Sequence, residues 1–333
     1  MLGVGAYRPR RAVSNSEVCD GIAETAEWIE ARSGILSRGF AAPDETLPAM
    51  GAQAAYAALK HAGVTAEQVD CVIVASTSNL VQIPPLAQAV AAELGAANAS
   101  GFDVSAACAG FCHALAVAND MICAGDAAYV LVVGTERMTD IVDRADRNTG
   151  FVFGDGAGAV VVGATAESGI GPTVRGADVD SLNALRMSAS WAQFGADPAI
   201  DRPVIRMDGR RVFRWAVENV VPAGRRALDR AGITVDQLTA FIPHQANRRM
   251  IQVLADRLGL PDGVVVATDV SGAGNTSAAS VPLAMERLLR TGAVPGGGPA
   301  LLMGFGAGLN YAGQVVLLPP AIGDVRTDSV EAL

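Results

Sequence analysis

The chain writes the same passage twice. Ala62-Gly63-Val64-Thr65-Ala66-Glu67-Gln68-Val69 returns as Ala231-Gly232-Ile233-Thr234-Val235-Asp236-Gln237-Leu238. Asp103-Val104-Ser105 returns as Asp269-Val270-Ser271, and Val130-Leu131-Val132-Val133-Gly134 as Ala300-Leu301-Leu302-Met303-Gly304. The offsets are 169, 166 and 170 residues. Chance similarity between Ala- and Gly-rich segments accounts for any one pair, but not for three pairs in one order at nearly one spacing. In each half, β-rich runs alternate with helical patterns, so each is expected to be an α/β unit with a mostly parallel sheet. Two such units packed face to face give a five-layer body with a site at their junction. The expected division is residues 1–166, residues 167–320 and a tail, 321–333. Half of the 333 residues are hydrophobic, 37 are glycine and only 18% are charged. That composition suits tight helix–sheet packing or an extensive subunit interface.

Along the chain, residues 1–14 read as a short strand and a turn at Pro9, followed by a helix opened by Ser14-Asn15-Ser16-Glu17. Helical patterns follow over 25–32, 46–62, 84–94 and 209–231, and strands over 70–77 and 129–134. Residues 151–162, with Gly154-Asp155-Gly156-Ala157-Gly158 at their centre, read as a strand pair closed by a glycine turn. The polar stretch 168–203 reads as an irregular connection. No run of about 18 apolar residues is free of polar interruption, so no membrane span is expected. The start has no basic segment followed by an apolar one, which speaks against a secretory signal. Five scattered cysteines make neither a disulfide framework nor a zinc pattern. A reduced, cytoplasmic protein is expected, and the net charge of −9 argues against nucleic-acid binding.

The chemistry gathers around Phe102-Asp103-Val104-Ser105-Ala106-Ala107-Cys108-Ala109-Gly110-Phe111. This stretch opens as a strand and continues as a helix, with Phe111, Leu115, Ala118 and Ile122 on one buried face. Cys108 therefore falls near a helix N-terminus, where unpaired N–H groups and the dipole favour a thiolate. The other reading of Cys108 is a small core residue, since free cysteine is commonly buried. The second copy differs from the first in polar positions. Pro243-His244-Gln245-Ala246-Asn247 stands at a strand end where the first copy has Val74-Ala75-Ser76-Thr77. Gly274-Asn275-Thr276-Ser277-Ala278-Ala279-Ser280 reads as a glycine turn opening a helix. Strand ends on one edge of such a sheet are where ligands bind, so Cys108, His244 and Asn275 are expected to share one pocket.

These segments, with Phe153-Gly154-Asp155-Gly156-Ala157-Gly158 and Gly304-Phe305-Gly306-Ala307-Gly308, resemble the signatures of the β-ketoacyl-[acyl carrier protein] synthase III family. The resemblance covers nearly the whole chain. Three further segments bring it closest to the priming ketosynthases of aromatic type II polyketide synthesis: residues 2–11, Thr135-Glu136-Arg137-Met138-Thr139-Asp140, and residues 294–300. It implies a thiolase-like α-β-α-β-α fold, a homodimer, and a decarboxylative Claisen condensation with acyl-CoA as substrate and no metal or organic cofactor. By resemblance, Cys108 takes an acyl group from acyl-CoA and the N–H groups of Cys108 and Gly306 hold the oxyanion. His244 and Asn275 stabilise the enolate formed when malonyl-[acyl carrier protein] loses CO2. Trp28, Arg32 and Arg147 match positions that hold the CoA adenine. Arg214 and Arg249, within a basic group that also holds Arg210, Arg211 and Arg248, match carrier-protein docking positions. Without the resemblance, Trp28 reads first as a helix-core residue, and a solvated face is the second reading of the arginines. Phe305 is assigned to the acyl pocket, as is Ile83, which stands where acetyl-specific relatives place a phenylalanine that reaches into the partner's pocket. The smaller Ile83 is expected to admit starters longer or more branched than acetyl. Three alternatives stay open at this point: an acyltransferase without decarboxylation, a non-catalytic partner subunit, and a synthase condensing acetyl-CoA directly.

Overall fold

In the computed structural model, residues 1–166 and 168–323 are described, so most of the expected tail (324–333) lies outside the described residues. The first half runs β1 (Gly3–Tyr7), β2 (Arg11–Ser14), α1 (Asn15–Ile22), α2 (Ala26–Ser33), β3 (Ser37–Phe40), α3 (Leu47–Ala62), β4 (Cys71–Ala75), α4 (Leu86–Leu94), β5 (Ser100–Val104), α5 (Gly110–Ala124), β6 (Tyr129–Arg137) and β7 (Asp155–Gly163). The second runs β8 (Val174–Ala177), β9 (Leu185–Met187), α6 (Trp191–Ala196), β10 (Ile205–Met207), α7 (Gly209–Ala231), β11 (Ala240–Pro243), α8 (Arg248–Leu258), β12 (Val265–Val266), α9 (Val270–Ala273), α10 (Ser280–Arg290), β13 (Pro299–Gly306) and β14 (Asn310–Leu317). Local chemistry sets the ends. Thr25 and Thr46 cap α2 and α3 by accepting the N–H groups of Trp28 and Ala49, and Gly63 closes α3 at φ +67°.

Two five-stranded sheets carry the body, ordered β1-β7-β6-β4-β5 and β8-β14-β13-β11-β12. Strand for strand the orders correspond. Helices α5 and α10 lie between the sheets: Phe111, Leu115, Val281 and Met285 pack in one core with Ile73 and Val132 of the first sheet and Ile242 and Leu302 of the second. The outer faces are covered by α3 and α4 on one side and by α7 and α8 on the other. The result is the α-β-α-β-α order expected. The segment Ala107–Ala124 reaches the length and apolarity of a membrane span, with mean hydropathy 1.4, but it is the α5 region held between the sheets.

Three readings need correction. Residues 155–163 form the single strand β7, not a pair, lying antiparallel to both β1 and β6. The glycines there serve close packing rather than a turn: a Cβ on Gly158 would stand 2.8 Å from the backbone N of Leu283 in α10. The connection 168–203 is not wholly irregular, because it contains β8, the counterpart of β1 and the edge of the second sheet. Finally, Asp103-Val104 ends a strand whereas Val270-Ser271 lies in helix α9, so that pair of triplets is not structurally equivalent. The true match sits farther on. The 3-10 turns Ala107–Ala109 and Ser277–Ala279 each open a central helix, and their first residues take φ +48° and +47°.

Candidate active site

Cys108 sits in the first of these turns, buried at the N-terminal end of α5. Gly306 lies against it. A Cβ added there would stand 2.8 Å from the Cys108 Cβ and 3.0 Å from its Sγ, so a side chain at this position would displace the thiol. Burial pushes the thiol up to about 12, with the charge of Glu136 adding to the effect and the Ser277 hydroxyl and the residue's own backbone N–H opposing it. The resting group is a thiol, and the start of α5 is what favours charge on sulfur when it reacts.

His244 follows β11 and is fixed by its backbone N–H, which donates to Met303 O at 2.7 Å. Its Nδ1 lies 2.8 Å from Ser280 Oγ, and its ring meets Phe305 edge-on at 5.3 Å. Ser280 Oγ already accepts the Gln245 N–H, so its own proton is available to Nδ1, which leaves the ring proton on Nε2. Burial lowers His244 to about 3, against a backbone hydrogen bond at Ser277, and the imidazole is neutral at ordinary pH.

Asn275 is held by its main chain. Its N–H donates to Val152 O at 2.9 Å and its carbonyl accepts from Gly154 N at 3.0 Å. The side-chain Oδ1 accepts the Ser277 N–H at 2.9 Å, which orients the amide and leaves Nδ2 as a donor. The three groups are drawn together through neighbours: the Ser277 N–H holds Asn275, Ser280 in the helix that follows holds His244, and Phe305, packed on the His244 ring, precedes the Gly306 that meets Cys108. Sequence reasoning quoted Ser277 within a motif but gave it no role. The same is true of Glu136, a fully buried carboxylate behind it. The only signal for either was its place inside a motif already singled out for other residues.

A cavity of about 1100 Å³ adjoins this centre, lined by Trp28, Arg32 and Arg147 on one side and by Arg210, Phe213, Arg214 and Arg249 on the other. Val152, whose carbonyl holds Asn275, and Asn247, three residues beyond His244, form part of its wall. The guanidinium groups of Arg32 and Arg147 lie 5.2 and 5.3 Å from the Trp28 ring, and Arg147 pairs with Glu24. An aromatic plane between cations suits a purine base, and the surrounding arginines suit phosphate. Arg211 is instead engaged with Ser181 Oγ at 2.8 Å. Phe305 is buried beside His244. Ile83 is 87% exposed on the loop between β4 and α4, outside this cavity.

A buried cysteine at a helix start, a glycine flush against it, and neutral His and Asn donors on a doubled α/β body define an enzyme that works on acyl thioesters. Family comparison agrees. The N-terminal model of 3-oxoacyl-[acyl-carrier-protein] synthase III matches residues 102–179 and the C-terminal model residues 228–318. The chain is 61% identical over 319 residues to the β-ketoacyl-[acyl-carrier-protein] synthase III of Streptomyces lividans, covering 96% of this chain and 94% of that one. It is 50% identical to the mycobacterial β-ketoacyl-[acyl-carrier-protein] synthase III of Mycobacterium tuberculosis, covering 96% and 95%. Among solved structures, the priming β-ketosynthase of the R1128 polyketide biosynthetic pathway superposes with TM-score 0.95 at 60% identity, covering 96% of each chain. The synthase III of Pseudomonas aeruginosa superposes with TM-score 0.89 at 37% identity, covering 96% and 98%. The chain belongs to the β-ketoacyl-[acyl-carrier-protein] synthase III family.

Proposed function

We propose that this chain is a priming ketosynthase in which Cys108, His244 and Asn275 do the chemistry. Cys108 attacks an acyl-CoA thioester and stores the acyl group, which divides one hard step into two. The N–H groups of Cys108 and Gly306 receive the developing oxyanion, an interaction often worth about 3 kcal/mol per donor. Malonyl-[acyl carrier protein] then enters and loses CO2, and Nε2 of His244 with Nδ2 of Asn275 donates to the enolate oxygen. The enolate attacks acyl-Cys108 and leaves as β-ketoacyl-[acyl carrier protein].

The observation that carries this reading is the Ser277 N–H bond to Asn275 Oδ1, which leaves the amide donor Nδ2 free as a second donor beside the neutral His244. An acyltransferase without decarboxylation has less need of that second donor. Trp28, Arg32 and Arg147 would bind the CoA nucleotide, and Arg214 and Arg249 would dock the acidic carrier protein at the same mouth. The side chains named suffice for the steps above, with acyl-CoA as a substrate. A cytoplasmic homodimer completes the reading. In it, the exposed Ile83 loop reaches the partner's acyl pocket, and propionyl, butyryl or isobutyryl starters are preferred to acetyl. Incubation with a panel of acyl-CoAs, read by intact mass, tests this: the expected result is one adduct on Cys108, formed fastest with the branched or longer starters. Preference for acetyl-CoA over all of them would overturn the starter assignment, and absence of any adduct would overturn the whole reading.

A further inference from the structure

Arg38, in β3, is the bulkiest fully buried side chain among the described residues, and none of the steps above uses it. Its hydrogen-bond partners are neutral oxygens. Nη1 donates to Val13 O at 3.2 Å, and Nη2 to Asn15 Oδ1 at 2.7 Å and to Phe151 O at 2.9 Å. Burial pulls the guanidinium down to about 10, with the charge of Glu17 opposing, so it is still a cation at neutral pH. A buried cation with no carboxylate bonded to it is costly, and an apolar side chain of similar volume fills the same space more cheaply. What the arginine does that an apolar residue does not is gather those oxygens.

Phe151 begins a segment, 151–154, that is bonded to Asn275. Val152 O accepts the Asn275 N–H at 2.9 Å, and Gly154 N donates to the Asn275 carbonyl at 3.0 Å. The stem of Arg38 packs beside the same segment. A Cβ on Gly154 would stand 3.0 Å from the Arg38 Cβ, and one on Gly274, the residue before Asn275, 2.8 Å. The chain entering β3 is tied just ahead of Asn275 as well: Leu36 N donates to Ser271 O at 2.8 Å and Ser37 Oγ to Gly272 O at 3.1 Å. The ring of Phe151 meets Trp28 edge-on at 5.3 Å. Asn15, which accepts from Arg38, donates through Nδ2 to Ile35 O at 2.8 Å and to Ala26 O, at the start of α2, at 3.4 Å. Cys108 and Gly306 stand on the turn that opens α5 and at the end of β13, outside this set of contacts.

We propose that Arg38 is a positioning residue: its guanidinium fixes the 151–154 segment, which sets the Asn275 amide for condensation and backs Trp28 in the CoA site. It touches no reacting atom. The proposal rests on the functional reading above for the roles of Asn275 and Trp28. A planar fork suits the task, because Nη1 and Nη2 reach separate oxygens that the single nitrogen of a lysine does not span.

Two variants test it. Arg38→Met keeps much of the volume and loses every donor, whereas Arg38→Lys keeps the charge without the fork. In Arg38→Met, condensation of acyl-Cys108 with malonyl-[acyl carrier protein] is expected to slow about 10-fold to 10²-fold, as displacement near a reacting centre does. Single-turnover acylation at saturating isobutyryl-CoA, read by intact mass, should keep its wild-type rate, with half-saturation shifted to higher concentration. A merely structural residue behaves otherwise, since loss of folded enzyme lowers both steps together. Arg38→Lys should show the same split between steps, and it decides the matter should Arg38→Met not fold. Equal loss of both steps, or condensation at the wild-type rate, overturns the positioning role. Amide hydrogen exchange read by mass spectrometry needs no substrate. Residues 151–154 and 274–276 should exchange faster in the variant than in the wild type while α5 stays equally protected, and unchanged exchange in those segments also overturns the role. Faster exchange there, alongside a wild type that forms no acyl adduct, would uphold the role of Arg38 in setting Asn275 and sink only the functional reading, which keeps the two failures distinct.

Discussion

The turns Ala107–Ala109 and Ser277–Ala279 are the same piece of backbone used for different work. Each begins at φ near +48° and opens a central helix. In the first, Cys108 follows the strained residue and reaches Gly306 of the other half. In the second, Ala278 occupies that position and the flanking Asn275 and Ser277 supply hydrogen bonds instead. On the proposed reading, the difference divides a two-step reaction between the copies: one would supply the nucleophile and the other the donors.

The strongest way to break that comparison is to remove the sulfur. Cys108→Ala should abolish acylation outright by intact mass, and adding Ala278→Cys should not restore it, because Glu136, which accepts the Ala278 N–H, stands where Gly306 meets Cys108 in the first turn. Stoichiometric acylation of either variant would end the assignment. Removing a donor should be milder and confined to the second step. Asn275→Ala should lower condensation about 10²–10³-fold while single-turnover acylation persists, and equal loss of both would make Asn275 merely structural. Gly306→Ala probes the contact between the copies. Its Cβ would press on the Cys108 side chain, so acylation should drop by roughly 10-fold to 10²-fold, as misplacement near a reacting centre does. The last effect leaves the reaction rate aside and concerns stability against pH. His244 titrates near 3 in the folded chain and near 6.5 unfolded, so the unfolded state binds the extra proton between those values. Stability contributed by neutral His244 is complete above pH 6.5 and lost as pH falls toward 3, by at most about 1.4 kcal/mol per unit. Denaturant unfolding between pH 4 and 7 should show a shallower slope in His244→Asn, and an unchanged slope would contradict the burial argument.

Much of this was readable in the chain. Alternating periodicities and the duplicated blocks announced two α/β units, and the Cys, His and Asn stood out because the copies differ there. What escaped reading has a physical pattern. Glycine in β7 signals close approach of α10, and composition does not distinguish that need from a turn. Strand β8 is only four residues long and gains its identity from pairing with β14, more than a hundred residues away. Glu136 meets the Ser277–Ala279 turn across 142 residues of chain, through its bond to Ala278 N, which no local spacing encodes.

The central helices have a final consequence. The face of α5 is built to rest on α10 and on strands of the opposite half, with Phe111 and Val281 sharing one apolar interior. Severed at the repeat boundary, either fragment would present a raw hydrophobic wall and half of a reaction centre. The two halves are thus one cooperative body, and cutting between them would leave no self-sufficient unit on either side.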